Sequence, residues 1–170
     1  MKCVMFMLGV ALLLVAAPTL AGPEKVTFPP YQTHVHYTTV DRPDVKEVRD
    51  VYAASEVVKG ARSGQPLPAG SILTLVHFKA QVDDKGQFVK DPNGRLVKGV
   101  LDRIGVMEKR IGWGAEYPDD MRNGEWEYAS FRPDGTFNEK ANVKPCFQCH
   151  KPQSGQDFLF TLRELVNFLK

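Results

Sequence analysis

The chain has 170 residues, of which 43% are hydrophobic and 25% are charged, and its formal net charge is +2. This length leaves room for one domain with a well-filled core but not for two. Because positive and negative charges nearly balance and form no basic stripe, we expect no nucleic acid among its partners.

Residues 1–21, "MKCVMFMLGVALLLVAAPTLA", are typical of a secretory signal peptide. Lys2 precedes an unbroken apolar run, and small residues follow that run up to Ala21. The run is short for a membrane span and no basic cluster follows it, although an uncleaved N-terminal anchor is the alternative. We therefore expect cleavage after Ala21, one domain over residues 22–170, and no membrane span in the mature chain.

The middle of the chain alternates strand patterns with short polar turns. Strand-like residues occupy Val45–Ala53, a short helix is indicated over Ser55–Gly64, and the strongest strand pattern covers Ser71–Val82. The turns "DDKGQF" and "DPNGRL" predict antiparallel hairpins, and two further strand patterns follow, "LVKGVLDRIGVMEKRI" and "GEWEYASF". This order predicts an α+β fold with a large antiparallel β-sheet and a few helices.

Near the C-terminus, "KPCFQCHKPQSGQDF" holds Cys146, Cys149 and His150, and the two cysteines are the only ones left once residues 1–21 are removed. A structural zinc site needs four Cys or His ligands, and a thioredoxin-like dithiol begins a helix inside a βαβ unit. Neither requirement matches this sequence. The pattern favours one covalent haem c, with thioether bonds from Cys146 and Cys149 and with His150 as the iron ligand. Export agrees, because haem c is attached after translocation.

A terminal helix is indicated after this motif. Apolar residues recur at helical spacing from Phe158 to Leu169, and Asp157 is a candidate N-cap. The helix either packs on the domain as an ordinary element or also covers one edge of the haem, and the sequence leaves both open. The β-rich body excludes four-helix cytochromes, which need four long amphipathic helices.

The order of five segments resembles the cytochrome P-460 family, which includes the related cytochromes c′-β. These segments are "EVRDVYA", "GSILTLVHF", "NGEWEYASFRPDG", "CFQCH" and "DFLFTLREL". The resemblance implies a periplasmic mono-haem protein that is five-coordinate through His150 and usually a homodimer. It also implies an open iron face that binds nitric oxide or hydroxylamine.

The resemblance suggests two polar residues for this open, distal side of the haem. Arg49 matches a family arginine that reaches over the open face, whereas the pattern alone favours a surface arginine paired with Glu47 or Asp50. A guanidinium there can donate hydrogen bonds to a bound ligand and stay charged. Glu139 lies where the family has a variable distal residue, and it is either a proton acceptor or a solvated loop acid.

Leu75 and Phe78 are candidates for an apolar haem pocket, or else for the core. In the hydroxylamine-oxidising members of the family, a lysine on the strand led by glycine is joined to the haem, and Leu75 stands at that position here. Lys79 lies about 13 Å further along the strand at roughly 3.3 Å per residue. Lys109 belongs to a neighbouring strand pattern, and the sequence leaves Lys79 and Lys109 open as alternatives for the haem-linked lysine. Because leucine cannot form the bond, the resemblance leaves oxidase activity in doubt.

Three functions follow from these patterns. The first is a cytochrome of the c′-β kind that binds nitric oxide, and the second is an enzyme that oxidises hydroxylamine and passes electrons to a partner such as another cytochrome. The third is plain electron transfer, which requires a sixth protein ligand on the iron. Candidates for that ligand are Met107, His34, His36 and His77.

Overall fold

The computed structural model of the chain describes residues 22–119 and 121–170, so the predicted signal peptide lies outside the described residues. Five strands form one antiparallel sheet in which each strand pairs with the next one in the chain. The strands are β1 Val35–Arg42, β2 Glu47–Ala53, β3 Ile72–Ala80, β4 Lys98–Lys109 and β5 Trp126–Phe131. The predicted α+β fold with a large antiparallel sheet is confirmed.

Short helices accompany the sheet. Helix α1 spans Ser55–Gly60 between β2 and β3, whereas α2, Lys144–His150, and α3, Leu162–Asn167, follow β5. Short 3-10 helices are formed by Pro23–Lys25, Tyr31–Thr33, Pro43–Val45, Trp113–Glu116 and Lys151–Gln156. Within residues 22–119 and 121–170, no helix has both the length and the apolar character that crossing a membrane requires.

The turn signals between β3 and β4 form the hairpins that the sequence predicts. The backbone N–H of Gly86 donates to the carbonyl of Asp83, and that of Gly94 donates to the carbonyl of Asp91, each at 2.9 Å. Both glycines have positive φ, 76° and 78°, a conformation that glycine adopts without steric cost. The Asp-to-Gly spacing therefore predicts these turns for a physical reason.

The sheet is buried on both faces, which defines two cores. Directly opposed residues of antiparallel strands lie on the same face of the sheet. Successive side chains along each strand therefore point alternately into the two cores. One core lies between the sheet and the three α-helices and includes Leu73, Met107, Trp126, Phe147 and Leu165. The other core is covered by the N-terminal segment and includes Val26, Val76, Ile104, Trp113 and Phe131. The C-terminal helices are therefore packed against one defined face of the sheet.

The terminal helix is shorter than the sequence pattern predicts. It begins at Leu162, because Asp157 and Phe158 both have left-handed backbone conformations, with φ of 50° and 61°. Thr161, and not Asp157, occupies the N-cap position of α3. The expected capping role of Asp157 was wrong, and its side chain has other partners, described below.

Candidate functional site

Helix α2 carries the two cysteines and the histidine of the C-terminal motif. Pro145 lies in the first turn, where its missing N–H leaves no intrahelical bond unmade. Cys146, Cys149 and His150 are related by steps of three and four residues, which place them on one side of the helix. Both thiols are free, and Cys149 is the more exposed of the two.

The imidazole of His150 is held in one orientation. Its Nδ1–H donates a hydrogen bond of 2.6 Å to the backbone carbonyl of Phe158, and because a carbonyl only accepts, Nδ1 carries the proton. The ring centroid lies 5.2 Å from that of Tyr128 and 4.9 Å from that of Phe160. Burial lowers the pKa of His150, which favours the neutral imidazole. The other nitrogen, Nε2, is left as the one that can bind a metal.

An open cleft lies between the sheet and the C-terminal segment. Its volume is about 780 Å³, which includes the part that is open to solvent. The sheet wall is mostly apolar and consists of strand residues, namely Tyr37, Val40, Arg42, Arg49, Val51, Leu73, Leu75 and Met107. The facing wall consists of Cys149, His150, Leu159, Phe160 and Thr161. The cleft therefore has one thiol and one imidazole on one side and a largely hydrocarbon surface with two arginines, Arg42 and Arg49, on the other.

These residues fit a covalently held haem c. Two free thiols three residues apart and a neutral imidazole of fixed orientation are the donor set that haem c requires. Burial raises the pKa of the Cys146 thiol, and Cys149 adds to the effect, whereas a redox-active dithiol has a lowered thiol pKa. In the part of the chain that the structure describes, no three His, Cys, Asp or Glu side chains gather as a protein-only metal site would need.

Arg49 lies in the sheet wall of the cleft and is also paired with Glu47, so both sequence-based interpretations of this residue describe it in part. Its Nε and Nη2 atoms lie 2.8 and 2.7 Å from Glu47 Oε2. Glu47 also accepts hydrogen bonds from His77 Nδ1 at 3.0 Å and from Arg103 Nη1 at 2.8 Å. One buried carboxylate on β2 thus holds side chains from β2, β3 and β4, because Arg49, His77 and Arg103 are register partners on one face.

The charges in this network determine its protonation states. Burial alone would raise the pKa of Glu47, but the hydrogen bonds from His77, Arg103 and Arg49 outweigh it and hold the pKa far below its ordinary range. Burial lowers the pKa of His77 in spite of Glu47, and the positive charges of Arg103 and Arg49 add to this effect. Near neutral pH, Glu47 is therefore ionised and His77 is neutral, and Arg49 is held by a charged hydrogen-bond acceptor.

The other distal and pocket candidates are divided by the sheet. Leu75 lines the cleft, as expected for a pocket residue. Phe78 lies on the opposite face, in the second core, with the ammonium group of Lys98 5.3 Å from its ring centroid. Glu139 is exposed in the turn that follows β5 and does not line the cleft. The structure thus brings Leu75, and neither Phe78 nor Glu139, to the side chains of α2.

The four candidates for a sixth ligand are also separated. Met107 is buried and lines the cleft. His77 is committed to Glu47, and His36 is exposed, with its Nε2 3.0 Å from Thr39 Oγ1. His34 is likewise outside the cleft lining. Of these four residues, Met107 is the one that the electron-transfer hypothesis can use.

Neither candidate lysine lines the cleft. Lys79 has a side chain that is 55% exposed, and its Nζ lies 3.0 Å from Asp102 Oδ1. Lys109 is buried, and its Nζ donates to Asp157 at 2.8 Å and to the carbonyl of Leu67 at 2.9 Å. Both ammonium groups therefore have partners away from the residues that face His150.

Sequence reasoning missed two groups of residues at this site. Strand alternation places Glu47 beside Arg49, but the contributions of His77 and Arg103 depend on strand register, which the sequence pattern does not give. The hydrogen bond from His150 to Phe158 uses a backbone carbonyl, so no residue type in the sequence indicates it. The left-handed turn at Asp157 and Phe158 was not predicted, because the apolar residues from Phe158 onward have helical spacing.

The chain was compared with known proteins. The family model for cytochrome P460 matches residues 31–161, which include β1 to β5, α2 and the residues of the cleft. A search of curated proteins returned no match. The family indicates a haem-binding, mono-haem c-type cytochrome. By this match over most of its length, the chain belongs to the cytochrome P460 family.

Proposed function

We propose that this protein is a periplasmic cytochrome with one haem c attached through Cys146 and Cys149, His150 on the iron, and an open distal side that binds nitric oxide. The observation that supports this proposal best is that His150 and Arg49 line the same cleft from opposite walls. The positive charge of Arg49 also contributes to the lowered pKa of His150, after the effect of burial. A bound ligand opposite His150 would therefore lie near a guanidinium group.

The protein side chains have distinct parts in this proposal. When bound, the haem supplies an iron that takes up diatomic ligands. Arg49 donates hydrogen bonds and stays charged, while Glu47 fixes its direction. Val51, Leu73 and Leu75 exclude water from the apolar wall, which strengthens the interaction of the guanidinium group with a ligand. His150 holds its position through the Phe158 carbonyl.

Arg49→Ala is expected to weaken nitric oxide binding to the ferrous protein by about 10-fold to 100-fold, because a hydrogen bond from a charged group contributes roughly 1.5–3 kcal/mol. Arg49→Lys keeps the charge but loses the planar guanidinium group, so its affinity for nitric oxide is expected to lie between those of wild type and Arg49→Ala. Stopped-flow absorbance measures association and dissociation. Arg95→Ala, which removes an arginine paired with Asp41 outside the cleft, is the matched control. Equal affinities for wild type and Arg49→Ala would contradict the assigned role.

The runner-up function is hydroxylamine oxidation with an external electron acceptor. Leu75 lines the cleft where the oxidising relatives carry their haem-linked lysine, and Lys79 and Lys109 have other partners. We therefore expect a haem peptide with two thioether attachments, an ordinary c-type spectrum and little hydroxylamine turnover. Proteolysis followed by mass spectrometry checks this result. A third attachment at Lys79 or Lys109, together with turnover, would favour the enzyme.

Electron transfer remains the second alternative because Met107 lines the cleft. It requires a low-spin ferrous spectrum that Met107→Leu converts to high spin. A high-spin spectrum in the wild type supports the open site.

The resemblance of the chain to its family also supports a homodimer, and residues 1–21 support export to the periplasm. Sedimentation equilibrium and fractionation of cells test these two proposals.

A further inference from the structure

Two consecutive residues without glycine's freedom adopt left-handed backbone conformations directly before the terminal segment. Asp157 has φ of 50° and Phe158 has φ of 61°. Residues other than glycine are rare in the left-handed region. Phe158 has neither the small size nor the short polar side chain of the residues that tolerate this conformation. Such a turn persists when surrounding contacts hold it in place.

A buried ion pair provides those contacts. Both carboxylate oxygens of Asp157 accept hydrogen bonds from Lys109 Nζ, at 2.8 and 2.9 Å, and Oδ2 also accepts the backbone N–H of Leu67 at 2.8 Å. Lys109 Nζ donates to the carbonyl of Leu67 as well and lies 5.3 Å from the ring centroid of Trp126. The side chains of Lys109 and Asp157 are only 10% and 8% exposed. The C-terminus of β4 and the α1–β3 loop are thus joined to the left-handed turn.

The turn directs a single backbone group toward the proposed haem ligand. The carbonyl of Phe158 accepts the Nδ1–H of His150 at 2.6 Å, while the N–H of Phe158 donates to the carbonyl of Gln153 at 2.8 Å. The ring of Phe158 packs against Gly124, where an added Cβ would come within 3.1 Å of it. A change of φ at residue 157 or 158 would therefore move the carbonyl away from the imidazole.

We propose that Lys109 and Asp157 are positioning residues for His150, which they orient through the left-handed turn and the Phe158 carbonyl. A hydrogen bond at Nδ1 fixes the ring and raises the basicity of the opposite nitrogen. With haem bound, the ion pair would strengthen the bond from His150 to the iron and would favour retention of His150 in the nitric oxide complex. This inference rests on the proposed assignment of His150 as the iron ligand.

The test uses resonance Raman spectra of the ferrous holoprotein and optical spectra of its nitric oxide complex. Asp157→Ala removes the carboxylate and the residue's tolerance of a left-handed φ. Its iron–histidine stretching band is expected at lower frequency, with a larger fraction of nitrosyl complex that has lost His150. Asp157→Asn keeps the left-handed preference and one oxygen that can accept from Leu67 and Lys109 but loses the ion pair, so its band is expected between those of wild type and Asp157→Ala. Lys109→Met removes the donor to both Asp157 oxygens and is expected to lower the band frequency as well, and Lys79→Met, which removes an exposed lysine of the sheet, is its control.

Lys109→Met and Asp157→Ala each leave part of a buried network unpaired, so a variant without buried charge is needed as well. The double variant Lys109→Met/Asp157→Asn removes both charges and is expected to fold with a band between those of wild type and Asp157→Ala. Unshifted bands in this variant and in every single variant that folds would overturn the inference. A wild-type protein without the band, or a His150→Ala protein that keeps it, would instead overturn the proposed function.

Discussion

Replacing Cys146 and Cys149 together by serine is expected to abolish covalent haem attachment. Serine hydroxyls do not form thioethers with the haem vinyl groups, and the cleft presents no other thiol among residues 22–119 and 121–170. The wild-type mature protein is expected to have the mass of the chain from Gly22 plus one haem, retained after acid–acetone extraction. The double variant is expected to lose that added mass completely, which intact-mass spectrometry measures.

The neighbouring histidine provides a second arm of the same experiment. His150→Ala is expected to keep both thioethers and to lose the iron–histidine band, because the imidazole that faces the cleft is gone. His36→Ala, in which an exposed histidine outside the cleft is removed, is the matched control and is expected to behave as wild type. Haem that remains attached in the double cysteine variant would contradict the assignment of Cys146 and Cys149.

Replacing Glu47 by glutamine is expected to cause the largest loss of stability of any single change in the hydrogen-bond network that holds Arg49. Glu47 is 5% exposed and receives hydrogen bonds from three side chains, two of them arginines. Removing one partner of a buried charge network costs roughly 3–5 kcal/mol, because the remaining charges stay buried without compensation. Chemical denaturation of the holoprotein measures the free energy of unfolding. Asp44→Asn, which breaks the exposed pair with Arg42, is the control and is expected to have little effect.

The pH dependence of stability gives the same experiment a second readout. His77 and Glu47 both have lowered pKa values in the folded protein, so the unfolded chain binds more protons as pH falls. Stability is then present above the ordinary values, 6.5 for histidine and 4.5 for glutamate, and is lost below them. The difference between wild type and Glu47→Gln is expected to shrink below pH 4.5. A difference that stays constant as pH falls through this range would mean that the pKa of Glu47 is not lowered in the folded state.

Much of the fold follows from local patterns, because β3 is rich in β-branched and aromatic residues and the turns between β3 and β4 have the required aspartates and glycines. The strand β1 is less evident. Its residues are largely polar and only Tyr37 is buried, as is usual for a strand at the edge of a sheet. The terminal helix was predicted too long because helical spacing of apolar residues does not report the backbone angles of Asp157 and Phe158.

The site is predictable where its chemistry is contained in a contiguous segment. Cys146, Cys149 and His150 are recognisable from spacing alone, whereas the pairing of Lys109 with Asp157 joins residues 48 positions apart. Strand alternation already separates Leu75 from Phe78, since residues three apart on a strand face opposite sides. The structure places these two residues accordingly, one in the cleft and one in the second core.

The meander order of the sheet has a consequence for biogenesis. Each strand pairs with the next one in the chain, so each pairing can form as soon as both of its strands are present. A chain that emerges from its N-terminus can therefore complete the whole wall of the cleft before α2 appears. The thiols and the imidazole follow on α2, so the proposed attachment of haem would act on a chain whose sheet wall can already be complete. Synthesis in this order would thus separate formation of the scaffold from the proposed loading of its cofactor.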